Sequence, residues 1–266
     1  CAAILASMHG PTEFCELYYR QLVREGPAAA NPLLFAEGVP NVASAHLSTN
    51  FGIKGFCQTL IGSRTGGLDA LGLASSRIAT GEWRRALVGA AEEATEFMRE
   101  AYGRLVAHSR GPSTGAQFSE SSGAVVFVLE SEAAMQERGG RPMAFVDGVR
   151  AARMRSGRMD RAQLRPLQDY LRHIDVAAGT ANGTWIDRLE RSVLPKSGDG
   201  VSSPYAQVGE LFSPAPRLSL GVALSSRNAS AAPLRRVFRS VASGARIGVV
   251  GADYFGAVTA GRMTLA

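Results

Sequence analysis

Short apolar runs alternate with longer segments of helical periodicity along most of the chain, and this alternation constrains the fold more than any other feature of the sequence. Strands that are buried on both faces and that alternate with helices are typical of sheets covered by helical layers. The sequence therefore predicts an α/β fold. The predicted strands are 2–7, 56–61, 85–89, 124–129, 144–149, 174–178 and 246–251, with one more at the C-terminus. The predicted helices are 12–24, one that opens at Asn41, 66–80, one that ends at Arg138, and 161–173, and the residues between Arg24 and Asn41 are predicted to be extended. In the helix after Asn41, Val42, Ala45, Leu47 and Phe51 are spaced for one buried side, and the Ala and Gly content of 66–80 predicts close packing.

The length and composition permit a large core without disulfide bonds. The 266 residues are 45% hydrophobic and 20% charged, which is ordinary for a globular domain. Cys1, Cys15 and Cys57 are irregularly spaced, with no CxxC motif or Cys/His cluster, which disfavours a disulfide framework or a zinc site. The long uncharged runs contain Pro, Gly, Asn or Ser, which disfavours a membrane span. We therefore expect a cytoplasmic protein with no metal and no cofactor.

The chain is basic, with a net charge of +6, and only Lys54 and Lys196 are lysine among its 29 basic residues. One stretch is dense in arginine and also holds three aspartates. Its members are Arg150, Arg153, Arg155, Arg158, Arg161, Arg165, Arg172, Asp160, Asp169 and Asp175. Two interpretations stay open, a solvated loop and helix face or a docking surface for an acidic protein or a phosphate-bearing ligand. A nucleic-acid site is disfavoured because no aromatic residues interleave with the arginines.

A glycine-rich turn lies between the predicted strand 56–61 and the predicted helix 66–80. Its sequence, GSRTGG over 62–67, lacks the GxxxxGK[ST] spacing of a phosphate-binding loop, and GxGxxG is absent as well. Glycines at a strand-to-helix turn more often permit a tight corner and close packing. The turn is also expected to present Arg64 at a helix N-terminus, where backbone N–H dipoles act on whatever lies there.

Several segments in this order resemble the β-ketoacyl synthase branch of the thiolase superfamily. The turn and its flanks, TLIGSRTGGLDA over 59–70, resemble the nucleophile elbow of that family, the strand-to-helix turn that carries its catalytic cysteine. The other similar segments are 31–47, FGIKG at 51–55, LVGAAEE at 87–93, 118–130 ending in GAVVFVLE, and VSSPYAQVGE at 201–210. The resemblance implies a single thiolase-like domain over 1–266, layered αβαβα, with pseudo-repeated halves at roughly 1–130 and 140–266. It also implies that the first strand–helix portion of the family is absent, so that the fold is truncated at the N-terminus.

The catalytic positions of the family are all changed. Its members condense acyl chains with a cysteine nucleophile and two histidines, which stabilise the developing charge. The cysteine position is Arg64 here, the two histidine positions are Ala178 and Glu210, and the position of a lysine is Tyr205. Arginine is protonated at any relevant pH and is no nucleophile. We therefore expect a vestigial site with no catalytic residue, filled by an ion pair between Arg64 and Glu210.

No other residue completes a nucleophile–base pair in the sequence. Cys57 lies in a predicted strand and is interpreted as a structural cysteine that faces a dimer partner or the core. Ser63 and Thr65 flank Arg64 but lack a candidate base. The four histidines are interpreted as surface, capping or interface-helix residues: His9, His46, His108 and His173.

The loss of these groups resembles the chain length factors, which are ketosynthase-like partners of catalytic ketosynthases in type II polyketide synthases. The resemblance implies a heterodimer with a ketosynthase, contact with an acyl carrier protein, and a role in shaping the acyl tunnel during polyketide elongation, polyene elongation included. The implied partner interface is Phe56, Cys57, Gln58, Thr59, Leu60 and Ile61, and the implied tunnel gate is Leu33, Leu34, Gly38 and Phe255.

Three alternatives to these assignments stay open. Leu33 and Leu34 would equally well fill the interface core rather than line the tunnel. The chain as a whole has a second interpretation, a stand-alone thiolase-fold acyltransferase or decarboxylase with altered catalytic residues, although Arg64, Ala178 and Glu210 argue against it. It would also fit a homodimeric module that binds acyl groups or a carrier protein.

Overall fold

Two four-stranded sheets form the framework of the computed structural model, which describes residues 1–108, 118–154, 161–195, 203–225 and 242–266. The strands are β1 (Ala2–Ser7), β2 (Cys57–Ile61), β3 (Arg85–Glu92), β4 (Gly123–Glu130), β5 (Ala144–Arg153), β6 (Val176–Ala178), β7 (Arg246–Ala252) and β8 (Ala257–Leu265). The helices are α1 (Thr12–Glu25), α2 (Pro32–Gly38), α3 (Val42–Asn50), α4 (Gly66–Ala79), α5 (Glu96–His108), α6 (Glu132–Glu137), α7 (Arg161–Tyr170), α8 (Ile186–Val193), α9 (Tyr205–Val208) and α10 (Ala215–Ser225), with a 3₁₀ turn at Pro27–Ala29. Arg155, Arg158, Asp160 and residues 201–202 lie outside the described residues.

The strand order is β2-β1-β3-β4 in the first sheet and β5-β8-β7-β6 in the second. In the first sheet β1 runs parallel to both β2 and β3, and β4 runs antiparallel to β3. In the second sheet β6 runs parallel to β7, while β8 runs antiparallel to both β7 and β5. The predicted α/β class and the layered thiolase-like architecture are confirmed.

Helices α4 and α10 lie between the two sheets, in the central layer. Leu68 and Leu71 of α4 and Leu220 of α10 share one buried cluster with apolar residues of both sheets. The small residues of α4 let the second sheet approach closely, since a Cβ added at Gly72 would lie 2.9 Å from the Cβ of Val149. The central layer therefore depends on the glycine and alanine content of this helix.

A buried arginine ties α10 to the first sheet. Arg217 Nε donates to the carbonyl oxygen of Gly67 at 2.8 Å, Nη1 donates to that of Val88, and the guanidinium lies 5.2 Å from the Phe127 ring centroid. Its Nη2 has no hydrogen-bond partner among the described residues. Burial lowers the pKa of Arg217 to about 9, so the group is still charged at neutral pH.

Two predictions about residues 26–51 are wrong. The stretch predicted to be extended contains α2, because Asn31 caps the helix by accepting from Leu33 N at 2.9 Å and Pro32 occupies its first turn. Helix α3 was predicted to bury one apolar side, yet Ser44 is its one buried residue and Phe51 beyond it is exposed. Hydrophobic spacing identified the helix, but α3 lies at the edge of the first sheet, where no element of the described residues covers its outer side.

Candidate functional site

The predicted strand-to-helix turn is present, and the side chain of Arg64 at its tip points into the interior rather than toward solvent. Strand β2 ends at Ile61, Gly62 follows with φ +99°, a backbone conformation that favours glycine, and α4 begins at Gly66. Arg64 lies at the tip of this turn and is 0% exposed. The guanidinium thus lies in the interior, where it meets groups from the second half of the chain.

Every N–H of the Arg64 guanidinium has an acceptor. Nε and Nη2 donate to the two carboxylate oxygens of Glu210 at 3.1 and 2.8 Å. Nη2 also donates to the carbonyl oxygen of Thr180 at 2.6 Å, and Nη1 donates to the Thr180 hydroxyl, Glu190 and the carbonyl oxygen of Ala252 at 2.7, 3.2 and 3.0 Å. The predicted ion pair between Arg64 and Glu210 is confirmed, and it is bidentate.

Both carboxylates of the site are saturated as well. Glu210 also accepts from Phe212 N at 2.6 Å and from Asn182 Nδ2. Glu190 accepts from Thr180 N at 2.8 Å and Ala252 N at 3.2 Å, and from the Thr180 hydroxyl. Each acid therefore has four donors, which is close to the capacity of an ionised carboxylate.

Burial and the opposite charges act against each other on these groups. Burial lowers the pKa of Arg64, but the carboxylates of Glu210 and Glu190 outweigh this and raise it above its usual range. Burial raises the pKa of Glu190, while Arg64 and the Thr180 hydrogen bonds oppose that shift. One guanidinium thus lies between two carboxylates, so the site has no surplus positive charge for a thioester oxyanion.

Little space is left beside the ion pair. The cavity that Arg64, Thr180, Tyr205 and Glu210 line has a volume of about 10 Å³, which is at the lower limit for a single water molecule. An acyl thioester does not fit there. The site is a closed, hydrogen-bonded junction between the two halves of the chain.

A strained residue follows the second histidine position. Phe212 has φ +53°, the one positive value of a non-glycine residue in the described chain, and its side chain is fully buried. Its backbone N–H donates to the carboxylate of Glu210, so the acid that binds Arg64 also holds this turn. A strained backbone conformation of this kind persists where the surrounding contacts hold it in place.

Ala178 and Tyr205 take different places around the ion pair. Ala178 is fully buried at the end of β6, two residues before Thr180, in one core cluster with apolar residues of both sheets. Tyr205 is half-buried at the start of α9, and its hydroxyl accepts from Ser119 N at 3.0 Å. The structure thus joins Arg64 and Glu210 directly and places Tyr205 beside them, whereas Ala178 belongs to the apolar core.

Three polar residues of the junction were not predicted from the sequence as partners of Arg64. Glu190 and Thr180 contact its guanidinium, and Asn182 Nδ2 donates to Glu210 and, at 2.9 Å, to the Tyr254 hydroxyl. A signal for Glu190 was available, because an arginine that is taken out of water needs a carboxylate as its counter-charge. Asn182 gave no comparable signal, since an isolated asparagine is common in turns.

A second buried acid lies on the other side of the aromatic residues around Phe212. Glu92 accepts from Ser7 Oγ, Met8 N and His9 N, and it lies 3.0 Å from His9 Nδ1. His9 Nε2 is 2.7 Å from the Tyr102 hydroxyl, and the His9 and Phe212 rings meet edge to face at 4.7 Å. Contrary to the prediction for His9, it is half-buried and bridges Glu92 and Tyr102.

Among the described residues, the remaining candidate nucleophiles contact no histidine; the hydroxyls of Ser63 and Thr65 donate to the carboxylates of Asp253 and Asp69. Cys57 is exposed, and its thiol donates to the carbonyl oxygen of Ser44 at 3.1 Å. Ser63 Oγ lies 3.2 Å from Asp253, but that carboxylate also accepts from Phe255 N and Ala257 N and so holds the β7–β8 turn. His46 is exposed beside Glu37.

The four predicted gate residues lie in two places. Leu33 is exposed and Leu34 half-buried on α2, and a Cβ added at Gly38 would meet Cys15 of α1 at 3.6 Å. Phe255 lies in the β7–β8 turn, is 67% exposed, and borders an open cavity of about 500 Å³. The polar lining of that cavity is Ser63, Thr65, Asp69, Arg153, Asp253 and Thr259. The gate role of these residues stays a prediction.

The predicted interface strand is a free edge in this chain. Among the described residues β2 pairs with β1 alone, so its other edge is unpaired. The strand begins at Cys57, one residue later than predicted, and Phe56 before it and Ile61 at its end are exposed, whereas Leu60 packs on the core. Gln58 and Thr59 are half-buried.

The sequence profile described as beta-ketoacyl synthase, N-terminal domain, matches residues 1–135, just over half of the 266 residues. The chain belongs to the beta-ketoacyl synthase family. Within it, this ketosynthase-family chain carries the changed residues Arg64, Ala178, Tyr205 and Glu210. No curated protein matches the ketosynthase-family chain in sequence.

Solved structures match this ketosynthase-family chain over its whole length. The chain named "The ishigamide ketosynthase/chain length factor" is 20% identical with a TM-score of 0.74, and the match covers 99% of this chain and 72% of that one. A second match is to a chain of the AntDE:AntF complex, whose name describes a type II PKS acyl-carrier protein in complex with its ketosynthase bound to the hexaketide. That chain is 17% identical with a TM-score of 0.76, and the match covers 100% of this chain and 76% of that one. Because the identities are only 20% and 17%, these two matches establish the fold of this chain and nothing further.

The described residues contain neither a membrane-spanning helix nor a cluster of metal-binding side chains. None of the helices described is both long and apolar enough to span a membrane. No group of three or more His, Cys, Asp or Glu side chains in the described part of the chain is arranged to hold a metal ion.

Proposed function

We propose that this protein is a chain length factor, a ketosynthase-like subunit that pairs with a catalytic ketosynthase and shapes its acyl tunnel. The observation that carries the proposal is Arg64, which replaces the nucleophile and is buried with every N–H satisfied. A side chain held in this way neither attacks a thioester nor leaves room for one. The chain contributes to a β-ketoacyl synthase complex through its partner rather than through its own elbow.

The unpaired edge of β2 supports the pairing. An exposed strand edge binds another strand readily, and proteins normally cover or blunt such edges. Phe56 and Ile61 are 47% and 45% exposed at its two ends, and Phe51 is exposed beyond α3. Apolar groups of this kind are typical of a large, permanent interface. The predicted antiparallel pairing of β2 with a ketosynthase strand would cover them.

The names of the similar structures support the choice of partners. One is a ketosynthase/chain length factor, and the other is a type II PKS acyl-carrier protein in complex with its ketosynthase. By analogy, the partner proposed for this chain is a ketosynthase, and the complex acts on chains carried by an acyl carrier protein. The cytoplasm is the compartment proposed for the complex, with polyketide, including polyene, elongation as its pathway type.

Co-expression with a ketosynthase encoded beside it tests this proposal. We expect a 1:1 complex that elongates malonyl units on a carrier protein, and an isolated chain without turnover. Phe56→Asp should abolish the complex, whereas Met143→Asp, which changes a similarly exposed apolar residue beside β5, should leave it intact. Turnover by the isolated chain would support a stand-alone acyltransferase or decarboxylase instead. A stable, inactive homodimer that ignores the ketosynthase would support a binding module.

A further inference from the structure

A groove with a volume of about 490 Å³ runs along helix α1, and this volume is within the range of small-molecule sites. Seven of its nine lining residues belong to α1 and recur at helical spacing between residues 12 and 24. The groove therefore follows the helix for about 18 Å. The other two lining residues are His9, which precedes α1, and Phe97 of α5. We refer to this feature as the α1 groove.

The walls of the α1 groove are apolar and uncovered. Val23 is 86% exposed, Tyr19 64% and Phe97 58%, and α1 buries none of its residues. Single exposed apolar side chains are normal on a protein surface, but three large ones around one concave surface indicate a binding site. A ligand with an apolar body would remove all three from water.

Hydrogen bonds fix the half-buried floor of the groove. His9 Nδ1 lies 3.0 Å from Glu92, His9 Nε2 lies 2.7 Å from the Tyr102 hydroxyl, and the Cys15 thiol donates to the carbonyl oxygen of Gly38 at 3.0 Å. Because both ring nitrogens have partners, His9 offers the groove the apolar surface of its ring. The floor is therefore preformed, and it suits an apolar chain rather than a polar group.

A buried cluster separates the α1 groove from the closed junction at Arg64. The His9 ring meets the Phe212 ring at 4.7 Å, and Phe212 packs in one cluster with Met8 and Met98. The backbone N–H of Phe212 donates in turn to the carboxylate of Glu210. Met98 is 2% exposed and Phe212 0%, so a ligand in the groove would not reach the ion pair.

The charges along α1 favour an anion at the end of the groove that is distant from His9. Glu16 and Arg20 form an ion pair, so their charges offset each other. Arg24, in the last turn of α1, is exposed and has no ion-pair partner among the described residues. One guanidinium is therefore left to bind a single negative charge, and its planar set of donors matches a carboxylate.

We propose that the α1 groove binds a free fatty acid, with its carboxylate on Arg24 and its chain along α1 toward His9. The chain covers Tyr19, Val23 and Phe97, and removal of these side chains from water stabilises the complex. The carboxylate adds a charge-assisted hydrogen bond at the open end. Binding is noncovalent, and it does not depend on the pairing of β2 with a ketosynthase.

Binding of dodecanoate to the full chain tests the proposal, with 1-dodecanol as the uncharged comparison. Both are measured by displacement of the fluorescent fatty acid cis-parinaric acid. We expect dodecanoate to bind at one site per chain and about tenfold more tightly than dodecanol, because only dodecanoate pairs with the guanidinium. Arg24→Gln should remove this difference. Arg188→Gln, which changes an exposed arginine of α8, should keep it.

Val23→Asp tests the wall of the groove in the same assay. A carboxylate at this position repels the ligand and is poorly solvated beside its chain, so dodecanoate should bind about tenfold more weakly. Val128→Asp, which changes an exposed valine of β4, should bind dodecanoate as the unchanged chain does. Circular dichroism verifies that both variants are folded.

Three results would overturn the proposal. One is equal binding of dodecanoate and dodecanol to the unchanged chain. Another is an equal effect of Val23→Asp and Val128→Asp. The third is release of dodecanoate on addition of a ketosynthase, which would assign the α1 groove to the partner. Formation of the complex through β2 is measured separately by gel filtration, so the failure of either proposal leaves the other standing.

Discussion

Arg64 and Glu210 form a bidentate ion pair across the middle of the molecule, with Nε and Nη2 at 3.1 and 2.8 Å from the two carboxylate oxygens. The family resemblance predicts that the two residues occupy the nucleophile and second-histidine positions, where one contact would replace two catalytic groups. The pair also joins the first half of the chain, through the elbow, to the second half. The ion pair thus holds the two halves of the chain together.

Removal of the guanidinium should destabilise the fold. In Arg64→Ala, Glu210 and Glu190 lose their counter-charge in a buried site, and breaking a buried pair by removing one partner costs about 3–5 kcal/mol. Urea unfolding monitored by circular dichroism measures this change. Arg77→Ala breaks an exposed pair with Glu82 and should change stability by no more than about 1 kcal/mol. Equal effects of the two substitutions would contradict a structural role for the junction.

Restoring the cysteine alone should not restore condensation. Arg64→Cys supplies a thiol, but Ala178 and Glu210 still occupy the histidine positions, so no base or oxyanion donor is added. The isolated variant is given acyl and malonyl thioesters, and its products are followed by mass spectrometry. We expect no product above that of the unchanged chain. Elongated product from the correctly folded variant would show that the site is not catalytically lost.

Substitutions on α2 should change product length if this helix gates the tunnel of a ketosynthase partner. Gly38→Phe should shorten the products of the complex because its ring adds volume between α1 and α2, and Leu34→Ala should lengthen them. Gly38→Ala is the matched control, since its Cβ would make an ordinary contact with Cys15 at 3.6 Å. Products are compared by mass with the complex verified by gel filtration. Unchanged lengths in an intact complex would remove the gate role.

The carboxyl of Asp69 should make stability fall as the pH rises. Burial raises its pKa above the ordinary 3.8, although the Thr65 and Thr259 hydroxyls donate to its oxygens and oppose the shift. The folded chain therefore binds this proton more tightly than the unfolded chain. The resulting stability is fully present below the unfolded pKa and is lost as the pH rises through the folded pKa.

Asp69→Asn should remove this part of the pH dependence. Between pH 4 and pH 8 the unchanged chain should lose unfolding free energy relative to the variant, as measured by urea unfolding. Asp169→Asn, which changes an exposed carboxylate paired with Arg172, should show no comparable movement. If unfolding free energy depends on pH in the same way in all three proteins, Asp69 makes no contribution to that dependence.

The sequence by itself predicted most of the strands and several of the helices, and it predicted a site without the family's nucleophile. Apolar runs such as Ala2–Ser7 predicted strands because a strand buried on both faces must be continuously apolar. The small residues of α4 predicted a tightly packed central helix. Arginine at the elbow excluded a nucleophile, because this follows from the side chain alone. The opposite charge at residue 210 was enough to predict the ion pair once the family resemblance placed the two positions together.

Only the tertiary structure decided what surrounds that pair. Glu190, Thr180 and Asn182 converge on it from one loop and one helix, and nothing in their spacing indicates that Arg64 points toward them. The burial of α3 was likewise predicted wrongly, since periodicity shows which side of a helix is apolar but not whether another element covers it. Whether a strand edge or a helix face is exposed depends on which other elements pack against it in the folded chain. For that reason the free side of β2 became visible only in the folded chain.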